Sequence, residues 1–432
     1  MLTYRFLWTA LGLTLVVLLA PGLFWWLLGL LALSAAADIV LCASPRRLRI
    51  ERVPAPAVRL AESVSVSTTV QNLGRRRLRG AVKDGWQPTA GAVDAVQELE
   101  VPPGGEATVT VRLSPSRRGR LTSQHLTVRS VGPLGLAGRQ VTHRVPHLLR
   151  VLPQFRSRKH LPSALQRLRE LDGATAVQLR GAGTEFDSLR DYVRGDDVRS
   201  IDWRATARRQ DAAGQHLVVR TWRPERDRRV ILCLDASRTS AARIADQPRL
   251  DAGIEACLLL GALASQAGDR VDFLAFHRQT VARASSAERG DFLHVLSTAA
   301  SAVEPVLVEA DFSQLPGEIA SVSTQKSLVV VLTAVDSPSL QEGLLPVLPA
   351  LTARHRVVVA SVRDPQLQAA ARRRDSAGEV YLAAAAERAM IEAEAVAAEL
   401  AARGVEVIQA VPEELPPALA DCYIRLKAAG KL

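Results

Sequence analysis

Two apolar runs open the chain. Phe6 to Ala20 carries no charge, Pro21-Gly22 interrupts it, and Leu23 to Ala43 is apolar again except for Asp38. The two together are too long for one helix and suit two spans, the first short against the roughly 20 residues a bilayer requires. A cleaved leader would end at a small-residue site, whereas here a second apolar run follows at once. Arg5 precedes the first run, Arg46, Arg47, Arg49 and Arg52 follow the second, and the turn between them is uncharged. The positive-inside rule then predicts a two-pass anchor over residues 1–45, with both ends and the soluble domains in the cytoplasm. Phe24, Trp25 and Trp26 would lie at the outer interface. Asp38 is costly in lipid, and its place near the inner end predicts a snorkelling or helix-pairing contact rather than a relay.

Beyond Leu48 the period becomes two. Val64, Val66, Thr68 and Val70 alternate with Ser65, Ser67 and Thr69, and Ala107 to Leu113 alternates after the turn Pro102-Pro103-Gly104-Gly105. With Leu121 to Ser130 and Gln140 to Val151, these strands predict a small antiparallel β-sandwich over residues 46–152. Residues 153–228 read as a connector. Its expected elements are a helix over Ser163 to Leu171, a helical turn through Phe186, Leu189 and Val193 ended by Gly195, a short helix marked by Val198, Ile201 and Ala205, and a strand from His216 to Trp222.

From Arg229 uniformly apolar strands alternate with helices. Strands are expected at Val230 to Leu234, Arg270 to Phe276, Ser327 to Thr333, Arg356 to Val362 and Val405 to Ala410. Helices are expected at Leu250 to Ala267, Phe292 to Ala302, Leu340 to Ala353, Glu387 to Arg403 and on to about Lys427. This alternation predicts a doubly wound α/β domain over residues 229–432, a parallel sheet covered on both faces. Its ligand crevice would lie at the carboxyl ends of the strands, where Asp235 stands.

Composition narrows the partners. The chain has 432 residues and a formal charge of +11. The excess is arginine: Lys occurs only at Lys83, Lys159, Lys326, Lys427 and Lys431. Basic clusters are short and lack interleaved aromatics, which argues against a nucleic-acid reader. Cys42, Cys233, Cys257 and Cys422 have neither metal-ligand nor redox spacing and lie in apolar surroundings, as buried thiols of a reducing compartment do.

Candidate chemistry is sparse. Asp235-Ala236-Ser237-Arg238-Thr239 follows the first parallel strand, and an Asp with two hydroxyls at alternate positions can converge on one hard cation such as Mg²⁺. The sequence resembles the opening line of the metal-ion-dependent adhesion site of von Willebrand factor A domains. That pattern also calls for a Thr on a later loop and an Asp after the central strand. Glu309-Ala310-Asp311 stands at the first place and Thr333-Ala334-Val335-Asp336 at the second, which makes Asp311 and Asp336 the candidate substitutes. Gly181-Ala182-Gly183 lacks the third glycine of a dinucleotide loop, and Glu185 would repel a phosphate. His216 and His277 are expected to be structural.

Gly183 to Arg208 crowds Glu185, Asp187, Asp191, Asp196, Asp197 and Asp202 among Arg190, Arg194, Arg199, Arg204 and Arg208. Paired carboxylates suggest acid–base work. So many guanidinium groups would instead depress the carboxyl pKa values and make the segment a structural or docking network.

Within this segment Arg190, Asp191, Tyr192, Gly195, Asp196, Asp197, Arg199, Asp202, Trp203 and Arg208 resemble the signature of the domain of unknown function 58 family. Arg117-Arg118-Gly119 and Gly132-Pro133-Leu134-Gly135-Leu136 are similar to that family's sandwich, with Gly132 where the family usually has Asp. The resemblance implies a membrane-anchored protein with a von Willebrand A-like domain that works with a MoxR-type AAA+ ATPase in assembly or maturation of other proteins. The leading expectation is therefore a non-enzymatic adaptor that docks its partner at Asp235, Ser237 and Thr239. A metal-dependent hydrolase using the connector acids and an envelope sensor are the alternatives.

Overall fold

The computed structural model describes residues 1–178, 185–193, 196–208, 210–211, 214–215, 217–223, 228–244, 247–287, 291–335 and 340–432. The chain divides into two compact units, Met1–Gln154 and Phe155–Leu432.

The first unit begins with helices α1 (Tyr4–Leu19) and α2 (Phe24–Leu41), joined by a 3-10 turn at Pro21–Leu23. The helical stretch Pro21–Leu41 is long and apolar enough to cross a membrane. Its large side chains, Trp25, Trp26 and Leu33 among them, are exposed, so no protein core accounts for their apolar character. Asp38 departs from expectation. It neither pairs the helices nor snorkels; it is fully buried and bonded to a loop of the sandwich, as described below.

Nine strands follow: β1 (Leu48–Arg52), β2 (Val58–Arg59), β3 (Val64–Asn72), β4 (Leu78–Trp86), β5 (Ala92–Val93), β6 (Val96–Val101), β7 (Glu106–Leu113), β8 (Gly119–Val131) and β9 (Gly138–Leu152). They form one sheet of order β1-β3-β7-β5 and another of order β2-β9-β8-β4-β6. The alternation read from the sequence decides which residues turn inward. Val66, Val70, Val109 and Val111 of the first sheet share a core with Leu78, Val82, Leu126, Val128 and Leu149 of the second. A buried polar group survives in this core because it is fully paired. The Asp84 carboxylate takes Arg52 Nη2 at 2.9 Å, the Ser123 hydroxyl at 2.6 Å and the Trp86 indole N–H at 2.9 Å.

The second unit opens with α3 (Leu161–Gln178), which contributes Leu161, Ala164 and Leu168 to the core of the α/β region. Strand β10 (Glu185–Asp191) then pairs antiparallel with β13 (Val218–Arg223). Between them lie a 3-10 turn at Val198–Ser200, α4 (Trp203–Arg208) and the short pair β11 (Gln210–Asp211) and β12 (Gly214–Gln215). The helical turn expected through Phe186 and Leu189 is thus a strand. A three-residue apolar spacing is compatible with either element over so short a run, and pairing with β13 decides it. Gly195 and His216 lie outside the described residues.

The main sheet has the order β18-β17-β14-β19-β20-β21. It comprises β14 (Arg229–Asp235), β17 (Arg270–Phe276), β18 (Thr280–Ser285), β19 (Leu328–Leu332), β20 (Arg356–Val362) and β21 (Glu406–Ala410). The two-residue strands β15 (Arg243–Ile244) and β16 (Gln247–Pro248) pair apart from it. All neighbours in the main sheet are parallel except the edge strand β18. Alternate residues of β14 serve opposite faces. Val230, Leu232 and Leu234 join one core with α5 (Arg249–Gln266), α6 (Phe292–Ser301) and α11 (Leu415–Ala428). Ile231 and Cys233 join the other with α7 (Leu315–Val322), α8 (Leu345–Thr352) and α10 (Ala377–Ala402). The short α9 (Pro365–Ala370) precedes α10. Helix α10 starts ten residues earlier than expected, because the Ser376 hydroxyl accepts the Glu379 N–H at 3.3 Å and caps it there.

Candidate functional site

Chain order places β17 on one side of β14 and then sends β19 to the other. The gap between the ends of β14 and β19 is therefore the topological switch point of the sheet, where such folds leave a crevice. Asp235 closes β14 there and is almost fully buried. Its Oδ1 accepts the Ser237 backbone N–H at 2.7 Å. Its Oδ2 accepts the Thr239 hydroxyl at 3.2 Å and the Thr333 hydroxyl at 2.7 Å. Ser237 Oγ lies 3.3 Å from Thr239 Oγ1, and the Ser240 hydroxyl donates to the Asp235 carbonyl at 2.6 Å. The loop is thus wound tightly around its own aspartate.

The loop before α7 runs alongside. Val306 N–H bonds the Ala236 carbonyl at 2.9 Å and Arg238 N–H bonds the Val308 carbonyl at 2.8 Å. Arg238 and Glu309 pair at 2.5 Å on the surface. Asp311 belongs to this loop, but its carboxylate is engaged elsewhere: Oδ1 takes the Ser313 N–H at 3.0 Å and hydroxyl at 2.6 Å, capping the turn Phe312–Gln314. Asp336 lies outside the described residues. The residue that joins the Asp235 group is Thr333, which the sequence reading passed over. It stands directly after the central strand, at the place where a carboxylate was sought.

All side-chain donors in the group are oxygens, the kind a hard cation selects. They carry one formal charge, and among the described residues no three His, Cys, Asp or Glu come together as a metal site. Serine and threonine hydroxyls can rotate from donating to accepting. Asp235, Ser237 and Thr333 are buried and Thr239 is partly exposed, so the lone pairs of the group can be turned toward one another or toward a small cation among them.

The signature acids of the connector serve the chain itself. Asp196 takes Arg190 at 2.6 Å and the Val193 N–H at 3.0 Å, and these two contacts hold its carboxyl below the usual range. Asp197 accepts the Arg199 N–H at 2.9 Å and starts the 3-10 turn. Asp202 caps α4 through the Ala205 and Arg204 N–H groups and pairs with Arg220 at 2.8 Å; the Ala205 bond, then the Arg220 contact, lowers its pKa. A carboxylate held ionised in this way is poorly suited to shuttle protons near neutrality. Trp203 is 68% exposed, and Val193, Val198, Arg199 and Arg208 are exposed with it. Tyr192 is half-buried, its N–H bonded to the Leu217 carbonyl.

The cysteines are all free and buried. Burial pushes the Cys233 thiol up to about 12 and the Cys422 thiol to about 11, so neither offers a thiolate near neutrality. The His277 ring accepts the Arg278 N–H at 2.6 Å, a local turn contact.

Residues 188–397 match the model of the family described as Protein of unknown function DUF58. That match supports membership of the DUF58 family. No curated protein matches the chain. Among solved structures, it is similar to the ASH / PapD-like domain of human CEP192, with 12% identity, a TM-score of 0.20, and coverage of 24% of this chain and 85% of that one. A CARDB domain from Pyrococcus furiosus, solved in complex with di-metal ions, gives 15% identity and a TM-score of 0.19 over 27% of this chain and 92% of that one. The YadV chaperone gives 16%, 0.18, 27% and 58% respectively. Nothing about the activity of this chain follows from likeness at that level.

Proposed function

We propose that this DUF58 chain is a membrane-anchored interaction protein, not an enzyme, which docks a partner protein at the strand-end crevice between β14 and β19. The observation that carries the reading is the Asp235 group. A buried carboxylate at a topological switch point is ringed by hydroxyls, of which that of Thr239 is partly exposed, with no nucleophile–base pair beside it among the described residues. The partner class implied by the family resemblance is a MoxR-type AAA+ ATPase, acting in assembly or maturation of other proteins. In this reading α1 and α2 both cross the bilayer as a hairpin, and both units face the cytoplasm beside the arginines that flank the hairpin. The α/β region acts as a von Willebrand A-like module, in which Asp235, Ser237, Thr239 and Thr333 would hold a Mg²⁺ that bridges to an acidic group of the partner. The exposed Trp203 and its arginine neighbours suit a second contact, since Trp and Arg are enriched at interface hot spots.

The test is capture from detergent-solubilised membranes, with wild type compared against Asp235→Asn. The expected result is an AAA+ ATPase recovered with wild type and lost from the variant. Its reproducible absence from wild type would overturn the reading.

A further inference from the structure

At the end of the helical pair where α1 begins and α2 finishes, the first unit holds a cleft of about 950 Å³. This is within the usual size of small-ligand sites. Its walls come from three places: Tyr4 and Arg5 at the start of α1, Leu41 to Ala43 after α2, and the sandwich around Gly80 and Gly132. The charge is one-sided. Arg5, Arg76, Arg77 and Arg79 line the cleft and no acid does. Glu100, outside the lining, bonds Arg77 at 3.0 Å and Arg79 at 3.1 Å, and the Asp38 carboxylate lies behind Gly132, so the four guanidinium groups outnumber the acids around them. Arg76 is held over the helix end by a bond from its Nη1 to the Val40 carbonyl.

Two further facts fix the height of this cleft. Helices of 16 and 18 residues span about 24 and 27 Å at 1.5 Å per residue, slightly less than a hydrocarbon core of about 30 Å. The sandwich cannot drift away from them. Asp38 in the last turn of α2 accepts the Leu134, Leu136 and Ala137 N–H groups at 2.7 to 2.8 Å, and Thr3 before α1 bonds the Gly135 and Leu136 carbonyls. If the helices lie in the bilayer, the four arginines are held near the level of the lipid phosphates, with Tyr4 and Leu41 of the helix ends in the same lining.

We infer that this cleft is a binding site for the phosphate headgroup of an anionic phospholipid, clamped by Arg5, Arg76, Arg77 and Arg79. The inference rests on the membrane-anchored reading above. Guanidinium forks match phosphate oxygens in pairs, and basic pockets beside membrane helices are where anionic headgroups are recognised. The lipid would act as a wedge between anchor and sandwich, fixing the tilt of the first unit on the membrane.

The experiment places the full chain in nanodiscs of phosphatidylcholine alone or with a minor share of phosphatidylglycerol, and counts retained lipids by native mass spectrometry. Wild type should keep phosphatidylglycerol selectively. Arg76→Gln/Arg77→Gln/Arg79→Gln should bind it roughly 100-fold more weakly, at the usual worth of a juxtamembrane arginine. The charge-matched control Arg278→Gln/Arg372→Gln/Arg373→Gln should bind as wild type does. Equal loss in the control, or no lipid preference in wild type, overturns the site. Should the triple Gln variant not fold, the wild-type preference and the triple Lys variant, expected to bind at intermediate strength, still decide. Inorganic phosphate is the second probe: stabilisation of detergent-held protein by phosphate as strong as that by phosphatidylglycerol overturns the lipid source. A chain that stays soluble without detergent and enters no nanodisc sinks the anchored reading itself. Insertion without lipid preference sinks only this inference.

Discussion

Asp38 and Asp235 are both buried carboxylates that accept three hydrogen bonds, yet their donors differ in kind. Asp38 takes three backbone N–H groups. Asp235 takes one backbone N–H and two threonine hydroxyls. An amide N–H can only donate, whereas a hydroxyl can turn and accept. The Asp38 cradle therefore requires an acceptor and offers none in return. The Asp235 ring can reorganise when a small cation arrives. The difference separates a structural carboxylate from a functional candidate without reference to catalysis, and it makes opposite forecasts for the same substitutions.

The largest effect is expected at Asp38. Replacement by Ala leaves three N–H groups without this acceptor, that of Ala137 buried and those of Leu134 and Leu136 part-buried, a loss of about 2–4 kcal/mol from the first unit, measured by chemical unfolding in detergent. Asp38→Asn should cost about half of that, since the amide oxygen can serve only part of the cradle. The loop has been cut to fit this carboxylate: a Cβ on Gly132 would lie 2.2 Å from Asp38 Oδ1 and 2.5 Å from its backbone oxygen. Gly132→Ala is thus expected to cost about 1–3 kcal/mol through overpacking. Gly135, at φ +76°, supplies the left-handed corner that aims the loop's N–H groups inward. A mild Gly132→Ala would show that the cradle is looser than described and would weaken the contrast with Asp235.

At Asp235 the forecast reverses. Asp235→Asn should cost little stability, because the hydroxyls can rotate to meet an amide, yet abolish partner capture. Thr333 sharpens the point. Thr333→Val removes one donor, about 1 kcal/mol. Thr333→Asp sets a second carboxylate at the cluster and should raise Mg²⁺ affinity about tenfold or more as charge on the ligand set rises, read by calorimetry. Unchanged Mg²⁺ binding in Thr333→Asp would mean that the crevice docks its partner without a cation.

The same contrast explains what could be read from the sequence. Strand periodicity placed the sandwich and the parallel sheet because burial acts on every second residue or on whole apolar runs, and these patterns are local. The Asp235 loop was legible for the same reason: Ser237 and Thr239 are its neighbours in sequence. Thr333 was not, since its role depends on β19 lying beside β14, a pairing across almost a hundred residues. Asp38 misled for a related reason. A lone acid in an apolar run reads as a membrane cost, and its three donors lie about a hundred residues away on a loop known only as a turn. Phe186 and Leu189 show the limit of periodicity itself, for three-residue spacing cannot outvote a pairing partner.

A pH titration separates the two units by a smaller margin. His147 in the sandwich is buried and packs against the Trp86 ring at 5.4 Å. Burial, then the nearby Arg52 charge, holds its pKa below the ordinary 6.5. Between the folded and unfolded values the unfolded chain binds more protons, so the sandwich is fully stable above about 6.5 and weakens as pH falls below it. His147→Phe should flatten that part of the profile, measured as thermal midpoint against pH. A slope that survives in the variant would assign it to another group in the unit.

The smallest effect belongs to the connector. Asp202 caps α4 and pairs with Arg220 at 2.8 Å, with its pKa lowered from the ordinary 3.8 by the Ala205 N–H and then by Arg220. A depressed carboxyl contributes stability that is complete above the unfolded value and is lost as pH falls through the folded one. Water screens the pair, so the contribution is slight. Asp202→Asn should therefore lower the thermal midpoint of the second unit by a small, constant amount at pH 6, and the difference should close below about 3.8. Proton transfer near neutrality would leave a different trace: an activity lost in Asp202→Asn with the midpoint unmoved. That outcome would turn the signature from a fold-holding network back into chemistry. A midpoint shift that closes in acid assigns Asp202 to the same structural class as Asp38, with the weaker grip of a carboxylate left in water.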